Sequence, residues 1–160
     1  MKIGLVLKEL HRSENDLVQA LLHVSERHKA DHEVYYLARD LAAWSKEHVR
    51  ELAAIAKDYG QDLDPEPADE TGVGRKLREK GSELLGRDKD AGLLLLSDLR
   101  EICLKASGVS LDWEMLAQAA QGIRHTDLLE VTKRCHPETL RQAKWANAKL
   151  KESSTQVLIS

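Results

Sequence analysis

The chain has no phenylalanine, and its aromatic side chains are few: three tryptophans and three tyrosines among 160 residues. Aliphatic residues must therefore fill whatever core it builds. Proline and glycine are also scarce, three and nine, which disfavours a turn-rich sheet protein and a disordered linker chain. There are two cysteines, Cys103 and Cys135, far apart and outside any CxxC motif. That excludes a disulfide scaffold and a four-thiolate zinc site, and two reduced, buried thiols in a cytoplasmic protein are expected. No long apolar run is present. "GLLLL" at 92–96 is too short to cross a bilayer, and "MKIGLVLKELHRSEND" turns polar too soon for a signal peptide. The net charge is -3 with no basic stripe, so neither a nucleic-acid surface nor a membrane surface is indicated.

What remains is 42 % hydrophobic and 32 % charged residues, the profile of long, solvated helices in a single domain over 1–160. Residues 3–28 carry Ile3, Leu7, Leu10, Glu14, Leu17, Leu21, Val24 and His28 at alternating spacings of four and three, one face of a helix. "KADHE" makes a turn in which Asp31 suits the N-cap. A second helix over about 32–59 has an inner stripe of Val34, Leu37, Ala38, Leu41, Ser45, His48, Leu52, Ile55, Ala56 and Tyr59, and Gly60 is its stop. Residues 60–90 form a polar connection, with a possible short helix in "RKLREKGSELL", long enough to cross the length of a bundle. "GVG" at 72–74 follows no strand and is no phosphate loop.

A third helix over about 91–121 has the stripe Leu95, Leu99, Ile102, Ala106, Trp113, Leu116, Ala117 and Ala120, and is expected to continue through Gly108. After "GIRHTD", with Thr126 or Asp127 as cap, a fourth helix runs over about 127–153. Its expected stripe is His136, Leu140, Ala143 and Leu150, with a kink or restart at Pro137. Short, long and short connections predict an all-α, antiparallel four-helix bundle with one long crossover between the second and third helices.

Glu14 interrupts the inner stripe of the first helix, and His48 does the same on the second. Glu14 lies 17 residues before position 31 and His48 lies 17 after it. Equal distance from a hairpin turn means equal height, so Glu14 and His48 should face each other inside the bundle. A buried carboxylate needs such a partner, because desolvation costs several kcal/mol. On the fourth helix the same level falls at "CHPE", residues 135–138. His136 either joins the pair as a third ligand for one divalent ion such as zinc or caps a helix restarting at Pro137. His28 and His32 straddle the first turn and are expected to be solvated. Trp44 lies one position off its stripe, where it could face a neighbouring subunit.

The stretch "ELHRSENDLVQALLHVSERHKADHEVYYLARDLAAWSKEHVREL", 9–52, resembles the first hairpin of small bacterial stress-associated members of the ferritin-like superfamily. "DWEMLAQAAQGIRHTDLLEV", 112–131, resembles their second. In that resemblance Glu14 matches the first metal-binding Glu and His48 the His of the first Glu-x-x-His. The family's iron-oxidising members use a Glu from each of two helices and a Glu-x-x-His from the other two. Here Ser45 stands where the Glu before His48 would be, "KASGVS" carries no carboxylate, and Glu130 is followed three residues later by Lys133. The resemblance thus implies the fold with a degenerate di-iron site and no metal ligand set, catalytic residue or cofactor. It implies a non-catalytic binding, scaffolding or stress-associated protein, a homo-oligomer and most simply a dimer. The alternative is a mononuclear metal protein using Glu14, His48 and His136.

Overall fold

The computed structural model describes residues 1–69 and 90–160. The short helix expected in "RKLREKGSELL" and the "GVG" turn lie outside the described residues. Among these the secondary structure is helical throughout: α1 (Ile3–Arg27), α2 (His32–Ala56), α3 (Ala91–Ile123) and α4 (Thr126–Ile159). None of them is long and apolar enough to cross a membrane.

The helix ends follow local chemistry. The Asp31 carboxylate accepts the Val34 N–H at 3.2 Å, and Asp90 accepts that of Gly92 at 2.8 Å. Each satisfies one of the backbone donors that a helix N-terminus leaves open. A 3-10 turn over Lys57–Tyr59 extends α2 to Gly60, which is left-handed at φ 72°. At the end of α3, within the expected "GIRHTD" turn, the left-handed position is Arg124, φ 57°. The N-cap of α4 is His125, without a side-chain capping bond, not Thr126 or Asp127.

Each helix packs against two neighbours: α1 against α2 and α3, and α4 against α3 and α2. Side-chain pairs fix the directions. Asp98, near the start of α3, meets Arg27 and His28 at the α1–α2 turn, and Lys149, late in α4, meets Asp31 and Glu33 there. At the opposite end Tyr59 and His125 are 2.5 Å apart. So α3 descends from beside the first turn and α4 climbs back, and spatial neighbours run antiparallel. The described part of the long connection climbs α1. His11 Nε2 donates to the Asp64 carbonyl at 2.8 Å, and Asn15 Oδ1 accepts the Ala68 N–H at 2.8 Å. At its foot a Cβ on Gly4 would stand 2.9 Å from the Tyr59 carbonyl oxygen, so glycine is required there by close backbone approach.

The core is aliphatic, with Trp113 its largest fully buried side chain. The expected stripes of α1 and α3 are buried nearly as read, and α3 is continuous through Gly108. Three expectations differ. Leu37 is 37 % exposed. Pro137 lies inside α4 and does not divide it. Proline removes one backbone donor, and the buried residues on both sides of it, Cys135 and Thr139, hold the two halves in one helix. The inward face of α4 is also turned by one residue, about 100°, from the expected one. Leu128, Thr132, Cys135, Thr139, Gln142, Ala146 and Lys149 point inward, while Leu140 is 51 % exposed.

Candidate functional site

Halfway along the four helices each contributes one side chain to a single polar cluster. Glu14 of α1 is fully buried and His48 of α2 is 1 % exposed. They meet as their equal distance from the turn requires, His48 Nδ1 to Glu14 Oε1 at 2.9 Å. From α3 the Trp113 indole N–H donates to the same oxygen, also at 2.9 Å, and its ring stands edge-on to the imidazole with centroids 6.0 Å apart. From α4 Glu138 Oε1 lies 3.0 Å from His48 Nε2.

Both ring nitrogens of His48 therefore face carboxylate oxygens. A neutral imidazole offers one donor and an imidazolium two. Burial alone would lower the His48 pKa, but the hydrogen bonds and charges of Glu14 and then Glu138 outweigh it, and the net shift is upward. Once protonated, His48 can donate to both carboxylates at once. Glu14 Oε2 is buried with no hydrogen-bond partner among the described residues.

One turn away from His48 on α2 is Ser45. The Gln142 amide of α4 donates to its Oγ at 2.8 Å and to the Leu41 carbonyl at 2.9 Å. An amide and a hydroxyl fill the level where a carboxylate would be needed to extend the site. On the other side Cys135 donates to Glu51 Oε2 at 3.4 Å, and the two Arg134 nitrogens hold the same carboxylate at 3.1 and 3.2 Å. Burial, then the Glu51 charge, pushes the Cys135 thiol far up, so it stays protonated and is no nucleophile.

Of the three residues read as candidate ligands, the structure brings two together. His136 is half-buried, and the carboxylate that reaches His48 from α4 is Glu138, two residues on. His136 neither completes the pair nor caps a new helix, because α4 passes through without a break. The reason is the one-residue rotation of α4. Its inward face is built from Thr, Cys, Gln and Lys, so apolar spacing marks the wrong face. Glu138 stood within the right stretch of sequence, and Trp113 on the right stripe. No pattern in the sequence shows that the indole would bond to Glu14. Among the described residues no group of three His, Cys, Asp or Glu side chains is arranged to hold a metal ion. The two carboxylates of the cluster, Glu14 and Glu138, both bond to His48.

A second cluster lies at the end of the molecule that carries the α1–α2 turn. Asp98 Oδ2 accepts from His28 Nε2 at 2.7 Å, and its two oxygens lie 3.2 and 3.3 Å from Arg27 Nη1. The side chains of His28 and Asp98 are only 8 % and 9 % exposed, so the expectation that His28 is solvated is overturned: α3 starts beside the turn and covers it. Next to this ion pair a cleft of about 460 Å³ is lined by His23, Asp98, Glu101 and Lys105 among others. Burial, and then the Arg27 charge, lowers the His23 pKa.

No family model matches the chain, and no curated protein and no solved structure matches it.

Proposed function

We propose that the chain is a ferritin-like four-helix bundle with one long crossover and without a functional di-iron centre. It acts as a non-catalytic binding, scaffolding or stress-associated protein that associates with itself. The observation that carries this reading is His48. A metal centre of this architecture needs cations to neutralise inward carboxylates, and here a protein imidazolium lies between Glu14 and Glu138 at 2.9 and 3.0 Å. Ser45 and Gln142 occupy the next turn with neutral groups, where a bridging carboxylate for a second ion would be needed. The experiment is elemental analysis of natively purified protein, together with the ¹⁵N shifts of the His48 ring. Substoichiometric metal and two protonated ring nitrogens at neutral pH are expected. About two irons per chain, the complement of a carboxylate-bridged pair, would overturn the reading.

A second reading, one bound divalent ion, draws on the unpartnered buried Glu14 Oε2, an acceptor without a donor. Zinc, manganese and iron affinities of the natural chain and of His48→Ala decide it. Affinity unchanged by the substitution rules this site out.

A further inference from the structure

α3 carries large apolar side chains on its outer face as well as its inner one. Leu104 is 58 % exposed, Leu111 60 % and Met115 56 %. They follow one line along the helix, since spacings of seven and four return to nearly the same angle. Ser107 and Gly108, both exposed, lie between the two leucines. A Cβ on Gly108 would meet nothing within 4 Å. A glycine in the middle of an exposed helix weakens it relative to alanine, and nothing within the chain requires one here. Close approach of a second backbone would.

The arrangement is symmetric about the point between Ser107 and Gly108. Leu104 and Leu111 stand three and a half residues to either side, about 5 Å along the axis at 1.5 Å per residue. Farther out, Arg100 and Glu114 are exposed, and neither makes an ion pair or hydrogen bond with a described residue. They lie about 11 and 10 Å from the same point, and both on the α4 side of the leucine line, by about 30° and 70°. When two antiparallel copies of a helix are related by a two-fold axis, a residue on one flank meets the partner's residue on the same flank at the mirrored height. Arg100 then meets Glu114 of a second copy, and Glu114 its Arg100. Leu104 meets Leu111, and Gly108 lies at the crossing. A surface that is its own complement in shape and charge is what an isologous dimer requires.

We propose that the outer face of α3, centred on Ser107 and Gly108, is the surface through which two copies of this chain pair antiparallel. The proposal deepens the self-association in the reading above and rests on that part of it. The occupant is a second copy rather than an unrelated helix, because the two charges are opposite and lie at nearly equal distances from the centre.

Sedimentation equilibrium of the full chain and three variants tests it. The natural chain is expected to be a dimer in the micromolar range. Gly108→Arg gives the helix a better former and blocks the crossing, so folding is kept while the dimer dissociation constant rises by about 100-fold or more. Arg100→Glu sets like charges opposite each other and is expected to weaken pairing by about 10-fold. Arg100→Glu combined with Glu114→Arg restores it. A monomeric natural chain at about 100 μM, a concentration at which even micromolar pairing saturates, overturns both the proposal and the self-association. A dimer that survives Gly108→Arg, with helicity unchanged by circular dichroism, overturns this surface alone and leaves self-association through another face. Failure of the reversed pair to restore pairing overturns the antiparallel register.

Discussion

The two buried histidine clusters are opposites in charge order. In the middle of the molecule a cation, His48, lies between two carboxylates, Glu14 and Glu138. At the α1–α2 end a carboxylate, Asp98, lies between two basic side chains, Arg27 and His28. In the first, Glu14 and His48 are enclosed by four helices and only Glu138 reaches the surface, while the second ties only α3 to the end of α1 and borders an open cleft. The difference teaches what each is for. Glu14 and His48 have no water to fall back on, so their partners must be protein. The end cluster needs only to pin one helix end, and Arg27 keeps part of its solvation.

Removing the central charge in each cluster separates them most. His48→Ala leaves Glu14 buried with only the Trp113 N–H, and is expected to cost about 3–5 kcal/mol in urea unfolding, the usual cost of stranding a buried charge. Asp98→Ala should cost less, about 2 kcal/mol, because Arg27 borders the open cleft and can turn its guanidinium to water. A loss at Asp98 equal to that at His48 would break the comparison. Trp113→Phe keeps the ring against His48 and removes only the donor to Glu14, for about 1–2 kcal/mol in the same measurement.

The pH dependence sharpens the comparison further. The folded pKa of His48 is raised above 6.5, so its stabilisation is fully present below that value and is lost as pH rises through the raised one. The folded pKa of His23, beside the end cluster, is lowered from 6.5. The unfolded chain then takes up a proton more readily, and stability is lost as pH falls from 6.5 through the lowered value. Unfolding free energies between about pH 5 and 9 should fall on both sides, with His48→Gln flattening the alkaline limb and His23→Gln the acid limb. A profile in which either variant flattens the other limb would reverse the assignment.

How far the sequence was legible follows the same division. The four helices, the turn at Asp31, the stop at Gly60 and the Glu14–His48 pair could all be read, because α1 and α2 bury mainly apolar stripes in which those two are the ionisable residues at mid-length. Equal spacing about a short turn then fixed their height. The register of α4 was not legible. Its inward Thr132, Thr139, Gln142 and Lys149 carry hydrogen-bonding groups whose partners are on another helix, and spacing along one helix says nothing of those. The same blindness hid Glu138 in favour of His136. Contact with α3 also made His28 a buried partner of Asp98, although its place beside a turn looked open. No local signal reports a helix that arrives seventy residues later.

Because the central cluster takes one side chain from each helix, its bonds span 34, 90 and 99 positions of the chain. Neither hairpin can form it alone. Closing loops of that length comes late in folding, so the barrier to folding should be crossed before these bonds are made. Substitutions at His48 or Trp113 would then leave the refolding rate nearly unchanged and shorten the lifetime of the native state. The cluster serves as a clasp: it adds little to the speed of assembly and much to how long the assembled molecule lasts.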